Sequence, residues 1–367
     1  MKTALLSLFV ATNVLAQTVV PWRAQTLSIP SAQAGDPALT SSLIIGSDTA
    51  QQGLYLFNLN GSSVGNLPVG IVNSVDVRGS LVVATSPAGG ILLYRTVPGA
   101  GLTPETPSNI VASTPGQIAL GTLADGGLLM SFNAGNLLRQ YALSRDGGAL
   151  VATALTDRQL PGVPSGLAFD DATERLYAAI PTEGVVIVEP DGGIVTAIPF
   201  NGGLLGGTLG GIDLFRVSND LFIFTTAPAE GTVFVSALTS NGYASAGALK
   251  FRAPDAGTFV QLPQHLAVAD ALTGYPDGAL LVHDGVMANY KLVSLADIVT
   301  HLSADGGVGR DGGSVIGRDA GSGAASGGGG AISPGPSAKP DDLGCSTGAL
   351  VTLPALLLLW WIRRPRS

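Results

Sequence analysis

A single cysteine in 367 residues leaves no disulfide framework and no Cys-based zinc site. Charge is scarce too. Asp, Glu, Lys and Arg make up 12% of the chain, about half the usual share of a globular domain. With 18 Lys and Arg against 26 Asp and Glu, the net charge is −8, which removes the electrostatic basis for nucleic-acid binding. The three His, at 265, 283 and 301, show no metal-ligand spacing such as HExxH. Aromatics are only 6%, and the composition excludes helical bundles and coiled coils. What the chain has instead is glycine and proline, 51 and 23 residues, which suits many short strands joined by tight turns.

Neither end reads as part of a fold. Met1-Lys2, an apolar run from Ala4 to Leu15 and the small residue Ala16 have the form of a secretory leader over residues 1–16. Residues 303–344 are Gly, Ser, Ala, Asp and Pro with almost no large apolar side chains, a composition expected of a flexible linker. Its expected span is roughly 35 Å. Residues 345–367 hold Cys345, an uncharged stretch from Gly348 to Ile362 and the cluster Arg363-Arg364-Pro365-Arg366. As a helix that stretch measures about 22 Å, a short transmembrane segment against a hydrocarbon core of about 30 Å. The Arg cluster would stay inside and the preceding domain outside. This tail resembles the myxobacterial C-terminal sorting signal (MYXO-CTERM). The resemblance implies a sorting protease as partner, a cell-surface protein anchored to the membrane, and Cys345 as the sorting or lipid-bearing residue.

Between the ends lie residues 17–302, where three kinds of segment recur in fixed order. One set comprises Asp36–Leu39, Ser74–Val77, Gln117–Leu120, Gly166–Phe169, Gly211–Leu214 and His265–Val268. A more apolar set follows, from Leu43-Ile44-Ile45 and Leu81-Val82-Val83 to Leu221-Phe222-Ile223 and Leu280-Leu281-Val282. The third set starts near Gly53, Gly90, Gly135, Gly184, Gly231 and Gly285, with a mean spacing of about 46 residues. Four-stranded propeller blades repeat at this interval. The expected fold is all-β, a six-bladed β-propeller; a β-sandwich would not explain the sustained period. The first strand of each unit would line the central channel, and the second would be covered on both faces by neighbouring blades. Asp36 and Asp76 then stand as the channel acids. Asp170-Asp171 reads as a solvated turn, and His265 as a channel-mouth residue with no carboxylate beside it.

The repeats carry a resemblance. Gly35-Asp36-Pro37-Ala38, Pro68-Val69-Gly70, Asn73-Ser74-Val75-Asp76-Val77-Arg78 and Gly166-Leu167-Ala168-Phe169-Asp170-Asp171 resemble the β-propeller phytases over roughly residues 35–297. That family hydrolyses phosphomonoesters of phytate with a calcium cluster held at the channel mouth. The resemblance implies Asp36 and Asp76 as metal ligands, Arg78 as a phosphate-binding residue, calcium as cofactor, and phytate or another phosphoester as substrate. The chain departs from the pattern at the other ligand positions. Gly35 stands before the Asp-Pro pair, Ser165 replaces the Glu before Gly166, and Gly210 replaces the Glu before Gly211. Calcium wants six to eight oxygens, and phosphoryl transfer needs cations around the developing charge. Two functions follow: a phytase-like phosphatase, or a surface binding propeller that kept the scaffold without the chemistry. Gly61-Ser62-Ser63-Val64-Gly65 spells a hydrolase elbow but falls in a hairpin connection and reads as a turn.

Overall fold

The computed structural model describes residues 17–300, apart from 51–52, 89, 98–100, 106–109, 111–113, 200–207, 218–219, 240–241, 256 and 299. Residues 1–16, expected as a leader, 303–344, expected as a linker, and 345–367 with Cys345, expected as a sorting tail, lie outside the described residues. Among the described residues, no helix is long and apolar enough to cross a membrane.

Six sheets, antiparallel but for one added strand, are arranged as a β-propeller. Blade 1 runs from Ala34–Leu39 through Leu43–Asp48 and Leu54–Asn58 to Ser63–Leu67. Blades 2, 3 and 4 repeat the order, with inner strands Ser74–Arg78, Ile118–Thr122 and Gly166–Asp170. The inner strands of blades 5 and 6 are Ile212–Val217 and Leu266–Ala269. Each inner strand contacts the inner strand of the next blade, and blade 6 meets blade 1 to close the ring. The recurring segments read from the sequence are therefore the first three strands of each blade.

Burial explains why the second strands are the most apolar. Leu81–Ser86 and Ala279–Asp284 are buried at every position, whereas the outer strands Ser63–Leu67 and Ile194–Pro199 are largely exposed. A strand in mid-blade is covered on both faces, so alternation of polar and apolar residues disappears there. Six buried clusters fill the six clefts between neighbouring blades. Between blades 5 and 6, Phe222, Val235 and Leu249 pack with Leu280 and Val282. Between blades 1 and 2, Ile45 and Leu54 pack with Val75 and Val82. The core is a ring of interfaces, as expected of sheets that cannot bury both faces alone.

The N-terminal segment closes the ring. Ala24–Gln25 pairs antiparallel with Asn289–Ser294 as the outer strand of blade 6, while Gln17–Pro21 adds a parallel fifth strand to Gly242–Arg252 of blade 5. Trp22 lies buried between them under the Lys291 ammonium, 4.8 Å from the ring centre. Arg23 donates two hydrogen bonds to Asp297, at 2.5 and 2.6 Å. These residues carry no repeat signature, and their role appears only in the assembled ring.

Candidate functional site

The inner strands begin at one end of the central channel, called the entry end here, and finish at the far end. At the entry end, side chains of one blade bond the backbone or side chain of the next. Ser74 Oγ donates to Asp36 Oδ2 at 2.7 Å and accepts from Ile118 N–H at 3.3 Å, linking blades 1, 2 and 3. Thr85 Oγ1 donates to Gly116 O at 2.5 Å, Ser165 Oγ to Gly210 O at 2.5 Å, and Thr226 Oγ1 to Gln264 O at 2.9 Å. These bonds hold the seams between blades 1 and 2, 2 and 3, 4 and 5, and 5 and 6; the seam that closes the ring is held by other groups. At that seam, between blades 6 and 1, His265 Nδ1 stands 2.5 Å from Asp36 Oδ1. A carboxylate thus stands beside His265 after all; 229 positions of sequence separate the two, and only ring closure joins them.

His265 packs on His283 with ring centres 5.6 Å apart, and His283 packs in turn on Tyr290 at 5.9 Å. Burial, then the charge of His265, depress the His283 imidazolium to about 3. Tyr290 donates to Gly35 O at 3.0 Å, across the same seam.

The two acids named from sequence are both in the channel wall, and a third was missed. Asp76 Oδ1 accepts from its own Val77 N–H and Oδ2 from Leu120 N–H of blade 3 at 2.6 Å. Asp213, on the inner strand of blade 5, repeats the arrangement, with Leu214 N–H on Oδ1 and Val268 N–H of blade 6 on Oδ2 at 2.5 Å. Burial pushes Asp76 up to about 6 and Asp213 up to about 7, against the backbone bonds and the nearby Arg78, which pull the other way. The alternation of the Gly211–Leu214 segment could have flagged Asp213, since it faces the same side as the channel residues of its neighbours.

The far end is charged. Arg216 forms hydrogen bonds to Asp170 at 2.9 and 2.5 Å, joining blades 5 and 4. Asp170 is 4% exposed, so it is a buried ion-pair partner and not the solvated turn expected from the sequence. Burial raises its pKa, but the bonds from Arg216 and Thr173 outweigh this and hold the carboxyl below its usual range. Arg78 Nη2 reaches from blade 2 to Asp171 of blade 4 at 3.1 Å, and Asp171 also accepts Thr122 N–H. A cavity of about 1160 Å³ runs along the channel from Asp36, Ser74 and Gly166 to Arg78, Asp171 and Arg216, and extends between blades 1 and 2 past Leu56, Leu67 and Leu102. Six Asp against two Arg line it, leaving it negative.

This arrangement does not fit a calcium ion. Both oxygens of Asp36 and both of Asp76 already have partners within the protein, and calcium requires six to eight oxygen ligands. Among the described residues, no group of three or more His, Cys, Asp or Glu is placed to hold a metal. At two of the departed positions the packing works against a side chain. A Cβ at Gly35 would fall 2.6 Å from Ser47 Oγ and 2.7 Å from Thr49 Cγ2. One at Gly210 would fall 2.4 Å from Thr226 Oγ1 and 2.5 Å from Gln264 O. Arg78, the residue assigned to phosphate, is held by a carboxylate in an acidic cavity.

No family model and no curated protein sequence matches the chain. Among solved structures it is similar to a structural genomics protein of unknown function from Bacteroides thetaiotaomicron VPI-5482, at 13% identity and a TM-score of 0.52, with 75% of this chain and 74% of that one covered. A looser likeness is to the crystal structure of BBS1N in complex with ARL6DN, at 15% identity and a TM-score of 0.42, with 69% and 74% covered. At these identities the first shares the fold alone, and the second carries no argument.

Proposed function

We propose that this protein is an exported propeller, held at the cell surface by its C-terminal tail, that binds a ligand in its central channel and does not hydrolyse phosphoesters. The observation that carries the reading is the packing at Gly35 and Gly210. Where the phytase-like pattern has acids, an added Cβ would crowd the Ser47 and Thr49 side chains at Gly35 and the Thr226 hydroxyl and Gln264 carbonyl at Gly210. At the entry end the blades are tied to one another by hydrogen bonds, and Ser165 and Gly210, two of the departures from the pattern, bond each other. The channel holds a large negative cavity, which favours a neutral or positively charged ligand and repels a polyphosphate.

The test is a melting curve with and without calcium, beside a phosphate-release assay on phytate. The expected results are an unchanged Tm and no release above background. A calcium-dependent rise in Tm, together with release that Asp36→Ala and Asp76→Ala abolish, would establish the phosphatase instead.

A further inference from the structure

Blade 6 carries an apolar corner that the channel does not use. Leu27, Phe259, Leu262, Val286 and Met287 are 38–61% exposed, and they are half of the large apolar side chains exposed among the described residues. They come from three stretches that touch. Gly285 N–H donates to Gln261 O at 2.9 Å, and Ile29 N–H to Ala288 O at 2.8 Å. Residues 26–35, 257–264 and 285–290 contain no Asp, Glu, Lys or Arg.

The corner is also built rigidly. Asp284, 1% exposed, accepts the N–H groups of Val286 and Met287 at 3.3 and 3.2 Å and so fixes the tip that presents both side chains. Its other oxygen lies 3.6 Å from the buried Lys291 ammonium. Leu262 and Ala288 at φ +48° and Ala32 at +59° are in the left-handed region that bulky residues avoid. Backbone held in such conformations is retained where surrounding structure enforces it, commonly at functional surfaces. A contiguous exposed apolar patch marks an interaction site.

We propose that this corner docks on a lipid bilayer, its five apolar side chains entering the boundary between headgroups and acyl chains; the proposal rests on reading the tail as a membrane anchor. Three features select a bilayer. The patch has no cation to seek anionic headgroups, and the net charge of −8 disfavours an anionic surface, so the fit is to a neutral one. The chain outside the described residues leaves from blade 6 itself and ends in the uncharged stretch 348–362 followed by three Arg. A linker spanning roughly 35 Å would keep the domain near the membrane, so a patch too weak to bind alone would still engage.

The experiment uses the full chain with Cys345→Ser, reconstituted in phosphatidylcholine vesicles, with an environment-sensitive fluorophore on Met287→Cys or, as control, on the blade 3 to 4 loop at Val163→Cys. Flotation with the vesicles reports the anchor. Emission at Met287→Cys is expected to shift to the blue and to be quenched by a lipid-borne quencher, with neither change at Val163→Cys. Adding Phe259→Ser and Leu262→Ser should abolish the quenching and leave flotation and Tm unchanged. Flotation with equal quenching at the two positions, or with none, overturns the docking and leaves the anchor standing. Failure to float overturns the anchor and the docking with it. A blue shift without vesicles also overturns it, pointing to a second copy if it grows with protein concentration and to the chain's own tail if it does not.

Discussion

The two ends of the channel are made by the same six strands but held by different chemistry. At the entry end most links between blades are neutral and short, from Ser, Thr and backbone groups, with the Asp36–His265 pair at the closing seam and tightly packed glycines among them. At the far end they are ion pairs that bridge non-adjacent as well as adjacent blades, Arg78 to Asp171 and Arg216 to Asp170. The difference teaches where new chemistry could arise. At the entry end, packing around Gly35 and Gly210 works against an added side chain. At the far end, charge is held in pairs that substitution can unmask.

The largest effect should come from Arg216→Ala. It strands the buried Asp170 carboxylate without its guanidinium, and urea unfolding should show a loss of about 3 kcal/mol. Gly210→Ala tests the other end. Its Cβ must displace Thr226 Oγ1 and Gln264 O, so a loss of about 1–3 kcal/mol is expected, and wild-type stability would break the claim that packing excludes a side chain there.

The two regions should also answer pH with opposite sign. Asp76 and Asp213 have folded values near 6 and 7, above the unfolded value of 3.8. Their contribution is therefore full below about pH 4 and is lost as pH rises through 6 and 7. His283 is depressed from 6.5 to about 3, so the protein loses stability as pH falls from 6.5 towards 3. Measured between about pH 4 and 6.5, where both groups act, Asp213→Asn should remove a fall in stability with rising pH, and His283→Phe should remove a rise. The same change of slope in both variants would contradict the assignment. The smallest effect is expected of Arg78→Ala. Its pair with Asp171 is more than a third exposed on both sides, and such pairs contribute about 0–1 kcal/mol. A near-silent Arg78→Ala beside a damaging Arg216→Ala would sharpen the contrast within the far end itself.

The sequence determined the fold. A period near 46 residues, apolar second strands and glycine-rich turns are local signals, and each blade writes them again, so six copies reinforce one reading. Asp36 and Asp76 were legible as channel residues for the same reason, because side-chain direction follows from alternation along one strand. Only the tertiary structure decided what those residues do. Asp36 meets His265 because the first blade closes on the last, and Asp170 meets Arg216 because blade 4 abuts blade 5. Residues 17–29 complete blades 5 and 6 without any motif to announce them. Gly35 and Gly210 read as absent ligands in the sequence and are close-packed contacts in the fold. Periodicity is a property of neighbours along the chain, whereas the partner of a channel residue depends on which blade arrives beside it and how much space it leaves.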